Sequence, residues 1–436
     1  MIYFNNYKQI FLNILVLIFP ISFLFGRTFV EVFLILFSIY TIVNLKKWKK
    51  YIIDNDYIII LLFFFYFAVC LSTLINLEIL NKLTDKPLLL KSFLNFRFII
   101  YIISVWYVLD EIIFKKKIFI FTIGVYILFL VDGYTQFFSG QNLLGYQLIS
   151  TGRLTGIFED EQIFGSYIQK VLPLVIILFI LIFKDKVNYL KSLLIILSFS
   201  SIIIFFSGDR SALLLYSLFL ILNLIYLSNL RKIILLNFLI TSLLTSVIIF
   251  TGAGKNLKSL DKRYNLKSDY NMLINKNNAS STKLKFVPRD YYGHYLIVKE
   301  MTKDNLIFGK GIKSFRVMCR TNLYPVENGV CSTHPHNYYL QSLSSGGLIA
   351  FFFLSLIFLI FTFKLIKLLF NLFNNKKNNN ILSLTIITVF VYLWPIIPTG
   401  NFFNNWISGF NCFALGLFLF ANSKFKNNIT QENKIG

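Results

Sequence analysis

Apolar runs about as long as a bilayer is thick recur along this chain, parted by short lysine-rich breaks. Inside hydrocarbon a backbone finds no water for its N–H and C=O groups, so each run must satisfy them within itself, as a helix does. The spacing predicts twelve spans. They fall near Ile10 to Phe25, Phe29 to Val43, Tyr57 to Leu77, Phe96 to Phe114, Ile118 to Phe137 and Phe164 to Phe183, then near Leu190 to Phe206, Ala212 to Leu227, Ile233 to Phe250, Leu343 to Phe363, Ile381 to Ile397 and Asn405 to Phe420. The first run has the length of a signal peptide but no small-residue cleavage site, and a second run follows at once, so it reads as an anchor. The expected fold is an all-α polytopic membrane protein of about twelve transmembrane helices, with one large loop between helices 9 and 10. By the spans, residues 1–250 hold helices 1 to 9, residues 251–335 form the loop domain, and residues 336–436 hold helices 10 to 12 and a tail.

The breaks "NLKKWKK", "FKKK", "KDKVNYLK", "NLRK", "KLIKLLFNLFNNKK" and the tail "NSKFKNN" all fall on one side if the amino terminus is inside. That satisfies the positive-inside rule, so both termini are expected in the cytoplasm and the stretch Thr251 to Thr333 outside. The outer stretch is itself basic, in "KNLKSLDKRYNLK" and "NKNNASSTKLKFVPRD", and long loops translocate regardless of charge. It suits an acidic ligand. The formal charge of +23, from 43 basic and 20 acidic residues, is dispersed between spans without a base-stacking module, so anionic lipid headgroups rather than nucleic acid are the expected partners of the inner lysines.

Arginine is distributed differently from lysine. On this map only Arg231 lies inside, whereas Arg27, Arg97, Arg153, Arg210, Arg263, Arg289, Arg316 and Arg320 lie outside or at the outer edge. A planar fork of donors matches phosphate or carboxylate, so the outer face reads as suited to a phosphorylated ligand, with ion pairs to Glu31, Asp290 or Asp304 as the plainer use. Arg210 sits in "FFSGDRSALLLY", a short polar break between two apolar runs. Either Asp209 pairs with it, or it forms an anion site with the free amides where Ser211 and Ala212 open the next helix. In "TGRLTGIFEDEQIF" two glycines flank Arg153 and Thr155, which predicts a tight outer turn. Glu159, Asp160 and Glu161 follow, but consecutive carboxylates do not share a face, which weighs against a divalent metal there.

The whole chain has three histidines, and two of them stand in "CSTHPHNYYLQSLSSGG" as His334 and His336. A zinc site would need a third ligand from His294 or a carboxylate. The alternative places Pro335 in a first helical turn, with His336 and Asn337 at the helix amino end, where the dipole keeps an imidazole neutral and able to accept a proton. A capping and packing histidine is the plainest reading of all. Cys319 and Cys331 bracket "RTNLYPVENGV" in an oxidising compartment while Cys70 and Cys412 lie within spans, so a Cys319–Cys331 disulfide is expected, holding the approach to the histidines.

These residues carry a resemblance. "SGDRSALLL", "RDYYGHYLIVKEMTKDNLIFGKGIKSF" and "HPHNYYLQSLSSGGLIAFFFL", with the late "WPIIPTGNFFNNWISG", resemble signatures of the O-antigen ligase and polymerase family of bacterial envelope enzymes, over roughly Arg153 to Phe420. His336 and Asn337, then Gly346 and Gly347, follow the family's most specific pattern, with Ala350 where its last glycine often falls.

The resemblance implies a bacterial inner-membrane glycosyltransferase, similar to the GT-C class of helical membrane glycosyltransferases, that works at the periplasmic face without a metal or other cofactor. Its donor would be a glycan on undecaprenyl diphosphate. Its acceptor would be the lipid A-core of lipopolysaccharide for a ligase, or another lipid-linked glycan for a polymerase, and the "HPHN" and "PTGNFFNNW" segments lean to the ligase. His336 would be the general base, with Arg210, Arg289 and Arg153 binding the diphosphate and His334, Asn337 and Gly347 in support. A transporter or flippase of lipid-linked glycan is the reading from another class, but no repeat relates the two halves of the chain, and the polar candidates gather at one edge.

Overall fold

The structure, a computed structural model, describes residues 27–43, 56–111, 116–183, 187–257, 260, 289–321, 323–326, 329–374 and 378–435. At 27, 28, 56, 110, 111, 116–119, 289, 290 and 426–435 the description is of the backbone alone. The expected first span, Ile10 to Phe25, and the loop residues 261–288, with Arg263, lie outside the described residues.

The helices in chain order are α1 (Arg27–Val43), α2 (Asp56–Ile75), α3 (Leu77–Leu83), α4 (Leu88–Leu94), α5 (Arg97–Glu111), α6 (Lys116–Ser139), α7 (Phe164–Phe183), α8 (Tyr189–Phe206), α9 (Arg210–Tyr226) and α10 (Arg231–Thr251). They continue with α11 (Arg289–Asp304), α12 (Ser314–Met318), α13 (Tyr338–Phe373), α14 (Asn380–Tyr392) and α15 (Asn405–Ile435). Among the described residues there is no strand, only an isolated bridge between Gln141 and Gln147.

Among the described residues eight helical segments are long and apolar enough to cross a membrane, and α9, α14 and the stretch Phe29–Val43 are shorter apolar helices. The protein is therefore an all-helical, multi-pass membrane protein. The α4–α5 span runs Leu88–Leu109, earlier than Phe96 to Phe114, because a turn at Asn95 and Phe96 joins two helices into one apolar stretch. Similarly, α13 reaches well past Phe363, its helix continuing through Lys364 and Lys367 to Phe373.

The chain forms two compact units, Met1–Ile118 with Arg289–Gly436, and Phe119–Pro288. This is a division by packing, a different cut from the three parts expected from spans and loop. In the second unit α8 is the hub of polar links between helices. Ser200 Oγ lies 2.7 Å from Tyr126 Oη on α6, Ser201 Oγ lies 2.6 Å from Tyr216 Oη on α9, and Asn237 Nδ2 on α10 donates to Ser201 Oγ at 3.1 Å. With lipid as apolar as the side chains, such bonds and close packing hold membrane helices together.

In the first unit α13 packs chiefly on α2, and α15 on α5 and α14. The 36-residue α13 is interrupted at Gly347, whose φ of 65° and ψ of −161° belong to a region open only to glycine. A strap, residues 305–312, docks into this break. Lys310 and Gly311 N–H donate to Ser344 and Ser345 carbonyls at 2.9 and 3.1 Å, and Leu348 N–H donates to Leu306 O at 2.9 Å. Ser72 Oγ and Thr73 Oγ1 on α2 accept from Gly311 and Ile312 N–H at 2.8 and 2.9 Å, and Asn76 Nδ2 donates to Gly309 O. Backbone groups freed by the interruption thus find partners in the protein, as non-helical backbone at a membrane span requires.

Candidate functional site

The first unit brings all three histidines of the chain together. His294 comes from the buried face of α11, alongside Ile297, Val298 and Met301, while His334 and His336 come from the turn before α13. The His334 and His336 ring centroids lie 4.0 Å apart, and the His294 ring stacks on His336 at 5.3 Å with an interplanar angle of 23°. Tyr291 meets His336 edge-on at 5.3 Å, and Phe315 meets His294 at 6.0 Å.

The turn differs from the sequence reading in one respect. Pro335, His336 and Asn337 all precede the helix: α13 begins at Tyr338, and Asn337 is its N-cap, accepting from Tyr339 and Leu340 N–H at 2.9 and 3.1 Å. The physical reason is the cap itself, because an asparagine that supplies the missing acceptor for these two amides must have extended rather than helical backbone. His336 immediately before it has φ of +54°, a left-handed conformation uncommon for a residue with a Cβ.

A second segment fixes this turn. Asn337 Nδ2 donates to Pro395 O at 2.7 Å, Thr399 N–H donates to His336 O at 2.8 Å, and Tyr339 Oη donates to Leu393 O at 2.7 Å. Gln341 bonds Asn401 Oδ1 through its Nε2 and Phe402 N–H through its Oε1. Both residues of the His336–Asn337 pair are thereby tied to the segment 393–402. His334 Nδ1 lies 2.9 Å from Thr333 Oγ1, and its Nε2 is buried without a hydrogen-bond partner among the described residues.

Burial pushes the His336 ring down to about 4 and the His334 ring down to about 3, and the charge of neighbouring histidines acts in the same direction. Both rings are neutral near pH 7. Because the folded values lie below the unfolded value of about 6.5, the unfolded chain binds more protons between these limits. Stability is therefore expected to be level above pH 6.5 and to fall as pH drops from about 6.5 towards 4, read as the thermal midpoint in detergent. A His334→Gln variant is expected to fall less steeply.

Cys319 and Cys331 are joined by a disulfide, with Cα atoms 5.7 Å apart. Next to the bridge, Val330 O accepts from His294 Nδ1–H, and Ser332 Oγ lies 3.3 Å from His336 Nε2. Arg289 opens α11 five residues before His294, and its side chain lies outside the described atoms.

The second unit holds the other candidates. Asp209 is the N-cap of α9, accepting from Ala212 N–H at 3.2 Å and from Ser166 Oγ at 2.6 Å. Arg153 Nη2 lies 3.1 Å from Asp209 Oδ2, and Arg153 Nη1 donates to Gln162 Oε1 at 3.3 Å. Asp209, weighed in the sequence as a partner for Arg210, thus pairs with Arg153 from the loop before α7. Arg210 itself is the first residue of α9 and exposed, one residue ahead of the helix start expected at Ser211. The expected tight turn around Arg153 is present, with φ of 69° at Gly152 and 54° at Gly156. Glu159, Asp160 and Glu161 are exposed in the loop before α7.

Elsewhere, Arg97 pairs with Glu31 at 2.6 Å and Asn405 Oδ1 at 3.0 Å, a structural role joining α5 to α1 and α15. Among the described residues no group of three or more His, Cys, Asp or Glu side chains is placed to hold a metal ion. His294 was visible in the sequence only as a spare metal ligand. Its one sequence signal is rarity, the third histidine in a chain whose other two sit in a motif.

No curated protein and no solved structure matches the chain. Residues 193–355, which carry Arg210, Arg289, the disulfide, all three histidines and Gly347, match the family model described as O-antigen ligase, the family that the chain's motifs resemble.

Proposed function

We propose that the protein is an O-antigen ligase-like glycosyltransferase, moving a glycan from undecaprenyl diphosphate to a sugar hydroxyl of the lipid A-core at the periplasmic face of the inner membrane. The observation that carries this reading is the neutral, half-buried His336 at the meeting of three histidines, inside the segment that matches the O-antigen ligase family.

In this reading His336 takes the proton of the acceptor hydroxyl as its oxygen attacks the anomeric carbon, and the bond from that carbon to the diphosphate oxygen breaks. The diphosphate leaves with the electron pair, and the anomeric configuration inverts. A base whose conjugate acid sits near 4 is weak, and a diphosphate brought alongside raises it towards the operating pH, since a nearby negative charge favours the imidazolium. Arg210 and Arg289 are assigned to the diphosphate on the chemistry of the guanidinium, whose fork offsets developing phosphate charge as a metal would, and the mechanism therefore uses no metal. Arg153, the third arginine assigned to the diphosphate, is paired with Asp209.

The test uses a host that makes undecaprenyl-linked glycan but lacks its own ligase. Expression of the parent protein is expected to convert bare lipopolysaccharide core to capped core on a resolving gel, and Arg210→Ala and Arg289→Ala proteins, inserted at normal levels, are expected to leave it bare. Longer carrier-linked chains over a bare core would make the enzyme a polymerase instead.

A further inference from the structure

Three consecutive residues, Val330, Cys331 and Ser332, reach both of the stacked rings His294 and His336. A carbonyl only accepts, so the bond to Val330 O places a hydrogen on Nδ1 of His294. Ser332 Oγ stands at Nε2 of His336, the base of the proposed reaction. Cys331, between them, is bonded to Cys319 directly after α12, whose Phe315 packs edge-on against His294. The strip therefore cannot shift without disturbing ring positions from two sides.

We propose that Ser332 is a positioning residue for His336, and that the Cys319–Cys331 bridge is the pin that holds Ser332 and the Val330 carbonyl against the two rings. The proposal rests on His336 being the base. A neutral imidazole has one N–H and one lone pair, so whichever role the Ser332 hydroxyl takes at Nε2 decides which nitrogen is left to meet the acceptor. The arrangement follows the general logic of an activated base oriented by a third group.

Because the chain has only three histidines, the full-length protein labelled with 15N at histidine and carrying no histidine tag gives three imidazole spin systems. Ser332→Ala is expected to move the ring signals of His336 and leave the Nδ1–H signature of His294. Reduction of the bridge with dithiothreitol is expected to move both. In a transfer assay with radiolabelled undecaprenyl diphosphate-linked glycan and purified lipopolysaccharide core, Ser332→Ala is expected to lower kcat about tenfold with KM nearly unchanged, and Ser332→Thr to restore most of it. Unmoved His336 signals, or a Ser332→Ala kcat at the parental value, would overturn the proposal. An inactive His336→Ala beside a parental Ser332→Ala would sink it while leaving the base in place, and a fully active His336→Ala would remove both.

Discussion

His336→Ala is expected to lower the rate of glycan transfer by about 10²- to 10⁴-fold, the range a positioned general base contributes, with the protein inserted and helical. The ring is half-buried, and the neighbours it touches, Ser332, Tyr291 and the other two imidazoles, are polar or polar-tipped groups rather than an aliphatic core. Its loss therefore opens little cavity. The backbone supplies the control, because His336 is left-handed with φ of +54°. Alanine retains that strain and glycine relieves it. His336→Gly is expected to be as inactive as His336→Ala while unfolding at an equal or higher temperature than it. Activity in the glycine variant well above that of alanine would assign the defect to backbone geometry and count against the base. Purified proteins compared by initial rate and thermal midpoint give both numbers from one preparation.

Gly347→Ala is the substitution expected to cost most in stability, more than about 3 kcal/mol. Its φ and ψ are strained for any residue with a Cβ, and a Cβ there would collide with the Ile307 carbonyl, a backbone atom of the strap that has nowhere to go. The strap would have to leave the break in α13, giving up its bonds to Ser344, Ser345, Ser72 and Thr73 together. Gly346→Ala is the informative neighbour, because its backbone is not in the glycine-only region and its Cβ would meet Ala350 and Val69 rather than the strap. A drop in thermal midpoint for Gly347→Ala no greater than for Gly346→Ala would mean that the strap does not depend on the break.

The membrane class and most of the helices were legible in the sequence because apolar length is a local property, written residue by residue. Boundaries were less so. The α4–α5 span opens at Leu88 in "LLLKSFLNFRFII", where Arg97 interrupts the apolar run and pairs with Glu31 from sixty-six residues away, so composition alone, starting at Phe96, places the edge too late. The His336–Asn337 motif was readable, but the sequence put these residues into the helix where the asparagine amide instead holds them outside it. Least legible were partners that are backbone carbonyls. Val330 O on His294, Pro395 O on Asn337 and Leu393 O on Tyr339 carry no side-chain identity, and Arg153 with Asp209 is a pair made by the folding of a loop over a helix start.

The disulfide has a further consequence for how the protein is made. Its cysteines are only twelve residues apart, so the bridge can close on a short local segment without waiting for distant parts of the chain. Both cysteines precede α13, α14 and α15 in the order of synthesis. During biogenesis at an oxidising face, a clasped loop bearing Val330, with Ser332 beside it, can exist before the last three helices are inserted, and α13 would then assemble against a template rather than a loose strand. Catalysts of disulfide formation would in that case govern the yield of this protein as much as its insertion machinery does.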